Sequence, residues 1–369
     1  MKNKICVYAI AKNESKFVKQ WVDSMSKADH IIVLDTGSTD DTVSLLQSLG
    51  VEVHEKTYEH FRFDTARNDS LDLISDEYNI RVCTDLDEKF EQDDWADILK
   101  ENWNEEAGRV VYHYVWNHTK NGENGLEFDI NKIHGKNPDL RWAGAVHEHL
   151  TFMSTGERSF TKFIDLRDKI TLHHYADLNK NRNFYIDLAE ERLLETPNDW
   201  QAFMLLGNEY RVKGSPEKSI EKYLYILDNF KNICTTTDFA GVYFALGDAY
   251  YKIGDAVKAM AAFSNGIAID TKYRDNYFGL AILYFENNMY EAALGILKQA
   301  LKTTQRAYSW MEDPCTWTYG LYDLLGCIYF ALGQIEKAIS NSLIALHYDP
   351  NNQTLQERYN IYSSALLNI

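Results

Sequence analysis

Asp85, Asp87 and Glu88 stand within four residues at the end of the run Arg81-Val82-Cys83-Thr84, and carboxylates so close together suit a hard divalent cation. If the segment is extended, side chains alternate, so Asp85 and Asp87 share a face and offer two oxygen ligands to one ion. That arrangement holds a metal against a diphosphate. A D-x-D triplet is also common on solvated loops, so the elements around it must carry the argument.

Those elements alternate. Ile5 to Ala11 is a short apolar run followed by Lys12-Asn13-Glu14-Ser15, and Phe17, Val18, Trp21, Val22 and Met25 then recur at helical spacing. His30 to Asp35 is a second strand-like run, ending in Thr36-Gly37-Ser38-Thr39-Asp40-Asp41. Ser38 or Thr39 is a suitable N-cap for the helix carrying Val43, Leu45, Leu46 and Leu49, which stops at Gly50. Val51-Glu52-Val53 makes a third strand. Alternation at this pace predicts a parallel sheet with its ligand site at the carboxyl ends of the strands, where Asn13, Glu14, Asp35, Gly37 and Ser38 fall. Next, Phe61-Arg62-Phe63-Asp64-Thr65-Ala66-Arg67-Asn68 opens a helix that Asp64 or Thr65 could cap, its arginines near the same edge and available to an anion.

Beyond the acidic triplet, Asp93 to Trp103 reads as a helix, Val110 to Trp116 as an aromatic-rich strand, 121–125 as a turn and Phe128 to His134 as a returning strand. His113 and His118 read as ordinary strand or loop histidines. Lys169 to Tyr175 is a strand ending in His173-His174, of which alternation lets one face a site.

The second half repeats itself. Phe203-x-x-Leu206-Gly207-x-x-Tyr210 recurs at Tyr243, Leu246, Gly247 and Tyr250, at Tyr277, Leu280, Ala281 and Tyr284, and at Tyr322, Leu325, Gly326 and Tyr329. Gly247 and Ala281 lie 34 residues apart, the tetratricopeptide interval. Second-helix positions follow: Ser219 with Tyr223, Ala259 with Phe263, Ala293 with Leu297, and Ala338 with Ser342 and Ala345. Small residues let helices approach while aromatics fill the gaps between hairpins. About four repeats and a capping helix near Leu355 to Leu367 are expected. Such an array offers a groove to a peptide or subunit. The insertion bearing Tyr308, Trp310, Met311 and Trp317 reads either as an acceptor or homodimer contact or as apolar surface buried under the array.

Composition narrows the classes. A chain of 369 residues, 45% hydrophobic, predicts two or three folded domains. The formal charge of -17 argues against a nucleic-acid partner, which needs clustered Lys and Arg. Five cysteines without C-x-x-C spacing read as buried thiols in a reducing compartment. With no signal-peptide pattern and no apolar run of membrane-spanning length, a cytoplasmic protein is expected.

The ordered motifs AKNE, LDTGSTDDT, FRFDTARN, TDLDE and RWAGAVHEHL, over roughly residues 4 to 177, resemble the family 2 glycosyltransferases of GT-A fold, in the bacterial branch that couples this α/β domain to tetratricopeptide repeats. The resemblance implies a GT-A domain over 1–178 and an all-α repeat array over 179–369. It implies a UDP-sugar donor held by Ala11, Asn13, Glu14, Asp35 and Ser38, with Asp64 and Arg67 closing over base and diphosphate. Asp85 would face ribose or metal, and Asp87 would be the principal ligand of Mn2+ or Mg2+.

An aromatic, small residues and then a carboxylate at 142–148 are similar to the acceptor-side segment of inverting enzymes, which makes Glu148 the expected base. A structural ion pair of Glu148 with Arg141 or a neighbouring histidine is the competing reading, as turn capping is for Asp35 and Asp64. The family pattern puts a last metal ligand at His174, with His173 and His149 in reserve, and imidazole suits manganese better than magnesium. The implied reaction moves a hexose or N-acetylhexosamine to Ser, Thr or Cys of a peptide or protein. Rivals are a polysaccharide or cell-surface glycan transferase, and an inactive repeat-based interaction protein. A nucleotidyltransferase would need a Gly-rich basic loop after the first strand, which Ala11-Lys12-Asn13-Glu14 is not.

Overall fold

A computed structural model describes residues 3–116, 125–156, 162–175, 177, 184–306 and 309–367. His118, Tyr308 and most of the expected turn at 121–125 lie outside them. The chain divides into two compact units, Met1–Arg192 and Leu193–Ile369.

The first unit begins with β1 (Ile5–Ala11), α1 (Ser15–Met25), β2 (His30–Asp35), α2 (Thr42–Ser48), β3 (Glu52–Glu55), α3 (Phe63–Asp72) and β4 (Ile80–Cys83). It continues through β5 (Glu88–Phe90), α4 (Trp95–Asn102), β6 (Arg109–Trp116), β7 (Leu126–Gly135), β8 (Leu140–Ala143), β9 (His149–Phe152), β10 (Ile164–Asp165), β11 (Thr171–His174) and α5 (Tyr185–Glu195). The spacing that predicted α1 is the spacing that packs it, since Phe17, Val18, Trp21, Val22 and Met25 are all buried.

Among the described residues one sheet runs β3-β2-β1-β4-β7-β6-β11-β5, with β10 on β6, and β8 and β9 form a separate hairpin. The parallel pattern expected from the opening alternation holds for β1 to β4, and β7 returns on β6 as its sequence suggested. β7 runs antiparallel to both β4 and β6, β11 is parallel to β6, and β5 returns antiparallel on β11. The sheet is therefore mixed. Periodicity announces a strand but carries no information about its neighbour's direction.

Two expected caps are not used. α2 starts at Thr42, where the Asp40 carboxylate accepts from the Thr42 amide at 3.0 Å, while the Ser38 hydroxyl turns back to Asp35. α3 starts at Phe63, so Asp64 lies inside its first turn, where its charge favours the helix dipole without capping it.

Under α3 and the β8–β9 hairpin, the sheet face carries a buried polar chain. Trp142 Nε1 donates to Tyr8 Oη at 3.0 Å, Tyr8 Oη lies 2.8 Å from His134 Nε2, and His134 Nδ1 lies 2.9 Å from the Gly135 carbonyl. With Trp142 donating to Tyr8, the consistent assignment has Tyr8 donating to Nε2 and Nδ1–H donating to the carbonyl, a neutral imidazole. Burial pushes the His134 pKa down to about 3.

In the second unit the repeats form antiparallel pairs: α6 (Trp200–Val212) with α7 (Pro216–Asn229), α8 (Thr236–Lys252) with α9 (Ala256–Ile269), and α10 (Arg274–Glu286) with α11 (Tyr290–Ala300). α12 (Gly320–Ala331) and α13 (Ile335–Tyr348) make the fourth pair, and α14 (Gln353–Leu366) follows as the expected cap. A Cβ on Gly247 would stand 2.5 Å from the Phe263 ring, and one on Gly207 2.6 Å from Tyr223, so glycine is what lets each pair close. The described aromatic and methionine side chains of the insertion are half-buried. Trp310 and Met311 pack on the cluster of Trp200, Phe239 and Val242, and Arg274 lies 3.8 Å from the centre of the Trp317 ring. No described helix is long and apolar enough to cross a membrane.

His134 gives the fold a pH signature. Between its unfolded pKa of about 6.5 and its folded value, only the unfolded chain takes up the proton, so stability falls as pH drops, by about 1.4 kcal/mol per unit at most. Gln at 134 can still accept from Tyr8. Unfolding free energies measured across that range should show a shallower slope for His134→Gln than for the native chain; equal slopes would refute a neutral buried imidazole.

Candidate active site

The acidic triplet is not extended. β4 ends at Cys83, and the Glu88 amide donates to the Asp85 carbonyl at 3.0 Å, so Asp85-Leu86-Asp87 is a turn at the carboxyl end of the strand. The shared face inferred from alternation gives way to separate partners for the two aspartates.

Asp85 accepts from the Arg67 guanidinium through one oxygen and from Lys132 Nζ at 3.1 Å through the other. Glu88 is buried; it accepts from Lys132 at 2.7 Å, from Tyr114 Oη at 2.6 Å and from the Asp85 amide at 2.9 Å. It is thus a buried partner of Lys132 and Tyr114. Asp87 Oδ2 lies 3.2 Å from His174 Nε2, both side chains 8% exposed. That approach follows from the antiparallel register of β11 on β5, which pairs His174 with Glu88, while the Tyr175 amide donates to the Asp87 carbonyl at 2.7 Å. His173 points to the other face, 3.2 Å from Glu91, and His149 opens β9.

Charge sets the protonation of this cluster. Burial opposes ionisation of Asp85, but Arg67 and Lys132 overcome it and hold the carboxyl well below the usual range. Burial raises Glu88, with Lys132 working against the shift and Asp85 adding to it. Lys132 stays protonated because Asp85 and Glu88 outweigh its desolvation.

Arg67 joins this turn to the second centre. Its side chain is 3% exposed, and its Nε donates to Glu148 Oε1 at 3.0 Å while the fork holds Asp85. Arg141, the partner considered from sequence, pairs instead with Asp72 at 3.1 Å. Asp64 accepts from Arg62 at 2.8 and 3.0 Å, from the Thr65 amide at 2.7 Å and from the Gly144 amide at 3.0 Å. It ties α3 to the loop before Glu148.

The remaining predicted positions form one edge. Ala11 pairs with Asp35 across β1 and β2. Asp35 accepts from the Gly37 and Ser38 amides at 2.9 and 2.8 Å, a turn-closing pattern, and the Asn13 amide donates to Ser38 Oγ at 2.8 Å. Asn13 takes φ +56°, its Oδ1 accepting from the Thr39 amide at 2.7 Å, and the Glu14 amide donates to Thr42 Oγ1 at 2.8 Å. The two loops are stitched into one wall.

Lys132, Tyr114 and Arg192 were not singled out in the sequence. Alternation could not have placed Lys132, because the register of β7 on β6 shifts between Ile130 and Ile133, which pack on one core cluster.

As ligands, Asp87 and His174 supply one carboxylate and one imidazole, a donor set that fits Mn2+. No group of three His, Cys, Asp or Glu side chains able to hold a metal occurs among the described residues.

Residues 6–168 match the model of glycosyl transferase family 2, and residues 250–311 and 319–352 match tetratricopeptide repeat models. The chain is similar to the SPbeta prophage-derived glycosyltransferase SunS of Bacillus subtilis (strain 168) and to glycosyltransferase SunS of Bacillus phage SPbeta. Each is 26% identical over 236 residues, which cover 60% of this chain and 53% of the relative. The chain thus spans about half the length of these curated relatives. Among solved structures it is similar to a thermophilic tetratricopeptide protein of Thermus thermophilus, with 21% identity, a TM-score of 0.38 and coverage of 49% of this chain and 89% of that one. A MamA protein matches with 23% identity, a TM-score of 0.35 and coverage of 45% and 81%.

Removing the Lys132 cation should expose the cost of the buried carboxylates. Lys132→Met leaves Glu88 without its cation and should destabilise the first unit by roughly 3–5 kcal/mol. The measurement is hydrogen exchange of the β6 and β7 amides. Adding Glu88→Gln should recover most of the loss, and a double variant no better than the single one would refute the pairing.

Proposed function

We propose that this chain, a family 2 glycosyl transferase domain followed by tetratricopeptide repeats, is a metal-dependent inverting glycosyltransferase. It moves a hexose or N-acetylhexosamine from a UDP-sugar to Ser, Thr or Cys of a peptide or protein that the repeats help select. The observation that carries this reading is Arg67, which links the acidic turn, where a diphosphate would sit, to Glu148, where an acceptor proton would go.

In the proposed step the acceptor oxygen or sulfur attacks the anomeric carbon, and its proton passes to Glu148. The bond from that carbon to the diphosphate oxygen breaks, and UDP leaves with the electron pair. Arg67 holds the Glu148 carboxylate in place through its Nε, while the wall from Asn13 to Ser38 meets the nucleoside. Asp87 and His174 would hold a divalent cation, which when bound neutralises charge growing on the departing diphosphate.

UDP release from a panel of UDP-sugars with manganese tests the class without knowledge of the acceptor. Release from one sugar should fall by at least 100-fold in Asp87→Ala and with chelator, in line with loss of a principal charge-stabilising group. Glu148→Gln should bind donor normally but turn over at least 100-fold more slowly. Undiminished release from Asp87→Ala would overturn the metal assignment, and undiminished release from Glu148→Gln the base.

A further inference from the structure

The loop that carries Glu148 is held in a conformation its sequence does not favour. Gly144 takes φ +106°, and His147, the residue before Glu148, takes φ +53°. The left-handed region is costly for a side chain with a Cβ, and a histidine stays there only when its surroundings over-determine it.

Four bonds do so. Asp64 accepts from the Gly144 amide at 3.0 Å, and the Phe63 amide donates to the Ala145 carbonyl at 2.9 Å. The other two come from one side chain: a terminal nitrogen of Arg192 donates to the Val146 carbonyl at 3.0 Å and to the His147 carbonyl at 2.6 Å. Arg192 is 2% exposed, comes from α5 and belongs to the same compact unit as the site. A buried guanidinium on two consecutive carbonyls fixes the peptide planes on both sides of His147. The direction in which the next Cα sends the Glu148 side chain follows from those planes.

We infer that Arg192 is a positioning residue for glycosyl transfer: by clamping the Val146 and His147 carbonyls it holds His147 left-handed and aims the Glu148 carboxylate at the acceptor. This rests on reading Glu148 as the base. Arg192 touches no reacting atom, so its removal should slow turnover while leaving the donor wall intact.

The test uses the full chain, with manganese and an equimolar mixture of UDP-glucose, UDP-galactose, UDP-N-acetylglucosamine and UDP-N-acetylgalactosamine, following UDP release with water as acceptor. Arg192→Met should lower kcat by about 100-fold, the scale of an ångström-sized misplacement, with KM for the donors unchanged. Glycine adopts a left-handed φ without steric cost, so adding His147→Gly should restore at least tenfold of that loss. A role confined to holding α5 in place would lower the melting temperature and gain nothing from glycine at 147.

A second arm needs no turnover. Hydrogen exchange by mass spectrometry should show Ala145 to Glu148 losing protection in Arg192→Met while β1 and β4 keep theirs; unchanged protection would overturn the clamp. Glu148→Gln, run alongside, separates the two ideas. Full release from Glu148→Gln sinks the base, whereas loss there with full kcat in Arg192→Met sinks only the positioning role.

Discussion

The site depends on one buried guanidinium. Arg67 reaches from α3 to Asp85 and to Glu148, carboxylates 63 positions apart in the chain, and neither would sit comfortably beside the other without it. A planar fork with several fixed donors can hold two carboxylates at set angles, which an ammonium cannot. Lys132 completes the arrangement from the far side, so that Asp85 lies between two cations and Glu88 is buried beneath them. Asp87 stands outside this network, with His174 beside it.

The same economy governs the loop ahead of Glu148. Asp64 and Arg192 bind its backbone groups from opposite sides, and the left-handed His147 is the local strain that those bonds sustain. Backbone amides and carbonyls that a loop would otherwise leave to water are satisfied by buried charged side chains.

The second unit is built on a different constraint. Close helix pairs need glycine or alanine at one position and an aromatic ring facing it, and Gly207 against Tyr223 and Gly247 against Phe263 meet that need twice. Because each hairpin touches mainly its neighbours, the pattern can be interrupted by an insertion without unfolding the array. The insertion before α12 is then packed against the array, its half-buried Trp310 and Met311 lying beside α8.

Much was legible in order along the chain. The strand and helix runs from Ile5 to Asp35 and the four repeats with their capping helix are properties of local spacing, which a sequence states directly. The pairing of β7 with β4 as well as β6, the cations that Asp85 meets, and the Arg67 partner of Glu148 were not, because each depends on which distant segment arrives alongside. Lys132 and Arg192 were passed over for the same reason: nothing near a lysine in a strand or an arginine in a helix says which carboxylate or carbonyl it will meet. The sequence by itself determined which residues could do chemistry and which elements carry them. Only the tertiary structure decided which charges neutralise one another, since that is set by long-range register and burial, and a charge taken out of water keeps its ionised form only if the fold brings it a partner.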